Sequence, residues 1–252
     1  MAEATGVSMG DSPRAASSWK NDARAAGSTN PRTSVAREYA CQSPYNDCGA
    51  RPGRLERQEQ PLARYNKEHK EATRKRIIET AARRFKQDGI DGSGIATLMA
   101  DAGLTNGAFY AHFDSKDDLV TTVVGEELGR QAAGFEGLPP GRAGLEAFVA
   151  WYLSRDHRDH RDTGCPSAAL LDEIGRCDKE TKRAYTKGAK TILDEICARL
   201  APRDPGSARG TALALYAMMV GTMQLARALS DRKLSDAVLT EGIKTANAML
   251  AA

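Results

Sequence analysis

At 252 residues, 41% hydrophobic and 27% charged, the chain is long enough for one or two compact domains with a real core and no covalent staples. A formal charge of +3 does not by itself announce a nucleic-acid partner, since a balanced globular enzyme could carry it. The five cysteines (Cys41, Cys48, Cys165, Cys177, Cys197) are scattered without a C-x-x-C pair, so neither a disulfide framework nor a zinc site is expected. There is no uncharged apolar run of about eighteen residues and no apolar leader behind a basic start. A cytoplasmic protein with no membrane span, signal peptide, metal or cofactor is therefore expected.

From Met1 to about Gln60 the chain is rich in Ala, Ser, Gly, Arg and Pro, with few large apolar residues and no sustained period. Such a segment cannot bury enough surface to offset its ordering entropy, and residues 1–66 are expected to form a disordered extension. Its arginines read as solvating charge, with weak phosphate attraction as the alternative.

From about Lys67, Ile77, Ile78, Ala81, Ala82 and Phe85 recur at helical spacing between Arg74, Lys75, Arg76, Arg83, Arg84 and Lys86, which predicts a basic amphipathic helix ending at Gly89. Ile95, Leu98, Met99 and Ala102 predict a short second helix, with Ser93 as its N-cap and Gly103 closing it. Thr105 caps a predicted third helix carrying Phe109, Tyr110 and Phe113. Ser115 opens a fourth, with Asp118 completing a capping box. Beyond Gly141 the stripes continue: Leu145, Phe148, Val149, Tyr152 and Leu153, then Ala168 to Ile174, Tyr185 to Leu200, Ala212 to Leu229 and Leu234 to Leu250. Pro139, Pro140, Pro166, Pro202 and Pro205 fall between these runs, as breakers should, and no strand pattern is found.

Two short helices joined by a tight Gly-containing turn are the helix-turn-helix unit, whose use is to lay the second helix in the major groove while basic residues nearby neutralise phosphates. The run Arg76-Ile77-Ile78-Glu79-Thr80-Ala81-Ala82-Arg83-Arg84-Phe85, then Gly89, Ala102-Gly103-Leu104 and Gly107-Ala108-Phe109-Tyr110-Ala111-His112-Phe113-Asp114-Ser115-Lys116-Asp117-Asp118-Leu119, resembles the N-terminal domain of TetR-family regulators over roughly fifty residues. The resemblance implies an all-α fold: a three-helix helix-turn-helix domain at 67–115 and a helical effector-binding and dimerisation domain at 116–252. It also implies DNA contact by Ser93, Thr105, Asn106, Gly107, Ala108, Tyr110, His112 and Lys116.

The chemistry suits those roles. A Tyr110 phenol can donate to a phosphate, Lys116 can pair with one, the Asn106 amide matches adenine edges, and bare backbone at Gly107 permits close approach. Phe109 and Phe113 read as core. Gly94 stands where the family usually has Ser or Thr, which puts one phosphate contact in doubt, and Met99 stands where it usually has a small Ala.

In the effector half, the resemblance implies a homodimer through the last two long helices and a pocket for a small-molecule effector. Leu213, Leu215, Tyr216, Met218, Met219, Val220, Met223, Leu225 and Ala226 leave few polar positions on their helix, so more than one face must be covered. Phe148, Trp151, Tyr152, Leu170, Tyr185 and Met219 are the candidate lining for an apolar ligand, although core packing explains them equally well.

Cys165, before Pro166, is placed beside a helix N-terminus as a candidate redox or electrophile sensor, the alternative being an inert residue. The alternating signs of residues 155–162 read as a solvated helix end or loop rather than a metal site, despite His157 and His160. No phosphate loop, nucleophile elbow or paired Glu/His cluster marks an enzyme. The sum is a DNA-binding transcriptional regulator, a repressor released from a palindromic operator by an apolar or electrophilic effector. A helical protein-interaction module and an all-helical enzyme are the competing readings.

Overall fold

The computed structural model describes residues 61–251, with side-chain detail from Lys67 onward; the first sixty residues, expected to be disordered, lie outside the described residues. Helix α1 runs Pro61–Asp88, so it opens ahead of the boundary expected near Lys67. Proline suits a first helical position because its missing N–H would have no partner there. The helix ends where Gly89 takes φ 85°, a left-handed conformation that costs glycine nothing. Ile77, Ile78, Ala81, Ala82 and Phe85 are all buried, as their spacing predicts.

Helix α2, Ile95–Asp101, lies across α1 and is fastened to it by Arg84, whose Nε donates to Asp101 Oδ2 at 2.5 Å while its Nη1 donates to Asp88 Oδ2 at 2.7 Å. The turn after α2 closes through Leu104 N–H to Met99 O at 2.8 Å, with Gly103 at φ 66°. The element that follows is a 3-10 helix, Asn106–Ala111, rather than an α-helix. It is held by i→i+3 bonds, Ala108 N–H to Thr105 O at 3.0 Å and His112 N–H to Phe109 O at 2.9 Å. Phe109 and Phe113 stack at 5.6 Å and are fully buried in the core, so truncating Phe109 would cost about 3–5 kcal/mol.

Helix α3, Lys116–Ala133, is capped by Ser115 Oγ accepting from Asp118 N–H at 3.1 Å. The Asp118 carboxylate reaches back to the N–H of Asp114, one residue ahead of the cap itself, so the expected capping box is displaced by one position. The body comprises α4 (Gly141–Tyr152), α5 (Arg155–Asp159), α6 (Pro166–Arg176), α7 (Lys179–Leu200), α8 (Arg209–Ala228) and α9 (Arg232–Ala251). No strand occurs among the described residues.

Close helix approaches are made by two glycines. A Cβ at Gly188 of α7 would sit 2.5 Å from Leu128 of α3, and one at Gly242 of α9 would sit 2.6 Å from Thr222 of α8. One apolar core runs through both halves, from Ile77 and Phe109 to Phe148, Met219 and Leu239.

Polar contacts fix α1 and the turn after it onto α3 and the body. Lys86 of α1, itself buried, donates to Glu127 Oε2 of α3 at 2.6 Å and to Gly164 O at 3.1 Å. Glu173 of α6 accepts Ile90 N–H at 2.6 Å, satisfying backbone freed where α1 ends.

Candidate nucleic-acid interface

The segment from Thr105 to Tyr110 stands on its own apolar base. Phe109 points inward, while Thr105, Asn106, Gly107 and Tyr110 are exposed; Tyr110 is 64% exposed, unusual for so large a ring. Ala108 is half-buried and packs on the core. A Cβ added at Gly107 would meet nothing within 4 Å, so its backbone is bare toward solvent. The outward face therefore offers one amide, two hydroxyls and uncovered backbone.

Thr105 occupies the N-cap position but makes no side-chain capping bond, which leaves its hydroxyl available. The segment's C-terminal end is clamped by Arg74 of α1, which donates Nη1 to His112 O at 2.9 Å and lies 4.2 Å from the Phe113 ring centre. His112 is half-buried, and its Nδ1 is buried without a hydrogen-bond partner. Burial, helped by the charges of Lys70 and Arg74, pushes its imidazole below the ordinary value, so at neutral pH it presents a hydrogen-bonding ring rather than a cation. Lys116 is half-buried as the first residue of α3. Tyr110 and Lys116 thus flank Phe113 in sequence, with the Arg74 clamp holding the turn between them.

Ser93 is the clear correction. It does not cap α2: Gly94 holds that position without a side-chain bond, and Ser93 is 3% exposed with its Oγ donating to Gly89 O at 2.8 Å. The carbonyl left open at the end of α1 captures the hydroxyl, which removes Ser93 from the surface offered to DNA.

The candidate effector lining lies in the core of the body. Phe148, Tyr152, Leu170 and Met219 are fully buried, and Trp151 and Tyr185 pack partly buried against them. Sequence reasoning missed the polar members among them: Ser167 Oγ bonds Tyr185 OH at 3.0 Å and Tyr216 OH at 2.9 Å, while the Tyr152 hydroxyl is buried without a partner. Nothing in a lone serine signals this role, because its partners come from two other helices.

Cys165 sits at the N-cap of α6 ahead of Pro166, as the sequence predicts, but it is buried. Its N–H donates to His157 Nε2 at 2.9 Å. The solvated reading of residues 155–162 holds for Arg155, Asp156, Asp159, His160 and Arg161, which are exposed, and is corrected at two positions. His157 and Arg158 are buried, His157 with both ring nitrogens engaged and Arg158 Nη1 bonded to Ser235 Oγ at 2.9 Å and Asp236 Oδ1 at 2.7 Å.

Comparison with known proteins places these elements. Residues 77–123 match the family model described as bacterial regulatory proteins, tetR family. The HTH-type transcriptional regulator AcrR of Shigella flexneri is 36% identical over 62 residues, covering 25% of this chain and 29% of that protein. The HTH-type transcriptional regulator TtgR of Pseudomonas putida is 38% identical over 63 residues, covering 25% of this chain and 30% of that protein. The likeness to these relatives is thus confined to under a third of their length. The fold extends further: the crystal structure of E. coli NemR in its reduced form superposes with TM-score 0.60 at 19% identity, covering 69% of this chain and 95% of that one. Residues 77–123 thus resemble the tetR family of bacterial regulatory proteins, and they are set in a body with the same fold as NemR.

Proposed function

We propose that the protein is a ligand-responsive, DNA-binding transcriptional regulator, a repressor that occupies a palindromic operator as a homodimer. The observation that carries this reading is the Asn106–Ala111 element, whose apolar residue is wholly buried while its polar and backbone groups face outward. Asn106 and the backbone at Gly107 supply base-edge contact; Tyr110, Lys116 and the Thr105 hydroxyl supply phosphate contact, and His112 adds a neutral donor or acceptor.

Dimerisation is supported by an uncharged face on α8. Leu213 is 50% exposed and Leu225 52% exposed, and Ala214, Ala217, Gly221 and Ala228 are exposed between and after them. Apolar side chains left in water at helical spacing are what a two-fold helix pairing would cover.

An effector entering the body meets Phe148, Trp151, Tyr152, Leu170, Tyr185 and Met219, and the unpartnered Tyr152 hydroxyl gives an otherwise apolar molecule one hydrogen bond. To release DNA it must bind more tightly to the conformation whose two recognition elements are mis-spaced for successive major grooves, because equal affinity would shift nothing. Lys86, Glu127, Gly164 and Glu173 tie the DNA-reading elements to that body.

Retention of sheared genomic DNA by the purified protein, followed by footprinting of the recovered fragments, tests the reading. It predicts a protected inverted repeat with half-sites about one helical turn apart and binding that weakens steeply with salt. Retention without any protected repeat would refute it.

A further inference from the structure

A second site lies away from both the DNA-reading face and the apolar core. A cavity of about 510 Å³ opens where the end of α1 meets α5 and the α8–α9 turn, lined by Arg158, Arg161, Arg227 and Arg232, with Asp159 as the one carboxylate and Gln87 contributed by α1. Asp159 is already engaged: it accepts from Arg158 Nε at 2.9 Å and from Arg232 Nη1 at 2.7 Å. Arg158 is further neutralised by Asp236.

Among the described residues, the other two guanidiniums pair with no acid. Arg227 spends Nη2 on His157 O at 2.6 Å and Nε on Arg158 O at 3.3 Å, and its Nη1 is buried with no hydrogen-bond partner. The Arg161 side chain makes no hydrogen bond or ion pair among the described residues. Burial, and then the neighbouring Arg161 charge, pull Arg227 down to about 10.

We propose that this cavity binds a phosphate-bearing small molecule, with Arg161 and Arg227 as its principal anchors. The free donors, the whole Arg161 fork together with Arg227 Nη1, exceed what the two oxygens of one carboxylate can accept, whereas phosphate oxygens match paired guanidiniums. The volume lies within the range of small-ligand sites, large enough for more than a single anion. The Gln87 amide and Ser230 hydroxyl, both in the lining, complete a polar wall. The operator backbone is not the occupant, because Gln87 lies roughly 20 Å along α1 from the Arg74 clamp at the helical rise of 1.5 Å per residue. An occupant touches α1 and the body together, so the site spans the junction between the two halves.

Isothermal titration of the DNA-free, full-length protein with sodium pyrophosphate, and separately with ADP, at ionic strength held constant with sodium chloride, tests the assignment. Saturable binding is expected, weakened about tenfold or more in Arg161→Gln and retained in Lys116→Gln, which alters the DNA-reading face instead. The Arg161 side chain has no described partner to lose, so its variant should keep the fold; Arg227→Gln, which also loses two backbone contacts, serves as a second variant where its unfolding transition is intact. Tighter binding of ADP than of pyrophosphate would support the site with a nucleotide as the source of the phosphate, and equal binding would support it with free phosphates. No saturable heat with either probe, or binding that survives in Arg161→Gln but is lost in Lys116→Gln, would overturn the proposal. None of these outcomes depends on operator recognition.

Discussion

Acid should loosen this protein through one buried imidazole. His157 is 4% exposed and lies under the Trp151 ring at 5.0 Å with the planes 13° apart. Its Nδ1 lies 2.6 Å from Tyr152 O and therefore carries the proton, while Nε2 accepts Cys165 N–H at 2.9 Å. A second proton would set N–H against N–H in a dry site. Burial is the main cause that pulls His157 down to about 4; the bond to Tyr152 O opposes it, and Arg227 and Lys86 reinforce it.

The sign follows from linkage. In the unfolded chain the ring takes its proton near the ordinary 6.5, so between that pH and about 4 the unfolded state binds more protons. The stabilisation is present above about 6.5 and is lost as pH falls toward and through 4. Moving from pH 7 to pH 5 should then cost about 2 kcal/mol, or about 4–8 °C in Tm for a chain of this size. Thermal unfolding of wild type and His157→Gln across that range provides the assay. His112, shifted in the same direction, titrates in both proteins, and Asp159, held below the usual carboxylate range, acts at lower pH. The variant should show a visibly flatter dependence on pH whatever its stability at pH 7; parallel slopes would refute the reasoning.

Three further outcomes are expected. Glu127→Gln leaves the buried Lys86 ammonium without its carboxylate, and denaturant unfolding should show a loss of about 3–5 kcal/mol; a loss under about 1 kcal/mol would mean the pair is open to water. Leu225→Asp on the exposed face of α8 should leave monomer stability within about 0.5 kcal/mol yet shift sedimentation from dimer to monomer; an unchanged dimer would place the interface elsewhere. Iodoacetamide labelling read by mass spectrometry should modify half-buried Cys177 well before buried Cys165; Cys165 reacting as fast as a free cysteine would restore it as an accessible sensor.

Much of the DNA-reading half is legible in the sequence because local pattern and tertiary burial agree there. Ile77, Ile78, Ala81 and Phe85 repeat at the helical period and are buried together, and Gly89 and Gly103 stand where positive φ ends each helix. Phe109 inward and Tyr110 outward follow from one stripe of that short element. What escapes depends on partners distant in sequence. Ser93 looks like a cap until the end of α1 offers a closer carbonyl. Alternating charges at 155–162 read as solvated, since Ser235, Asp236 and Arg227, which bury His157 and Arg158, lie on α8 and α9. Glu173 is an ordinary helical glutamate until the start of the loop after α1 is laid against it. The arginine cavity likewise assembles from elements that no window of sequence brings together.

Fluorescence anisotropy of a recovered inverted repeat, titrated over a range of salt with wild type, Tyr110→Phe and Lys116→Ala, tests the central claim most directly. Loss of the Lys116 charge should shrink the log–log salt slope by about 0.9 for each phosphate released per protomer, and loss of the phenol should weaken binding without abolishing it. Wild-type affinity and slope in both variants would contradict the assignment of this face to DNA.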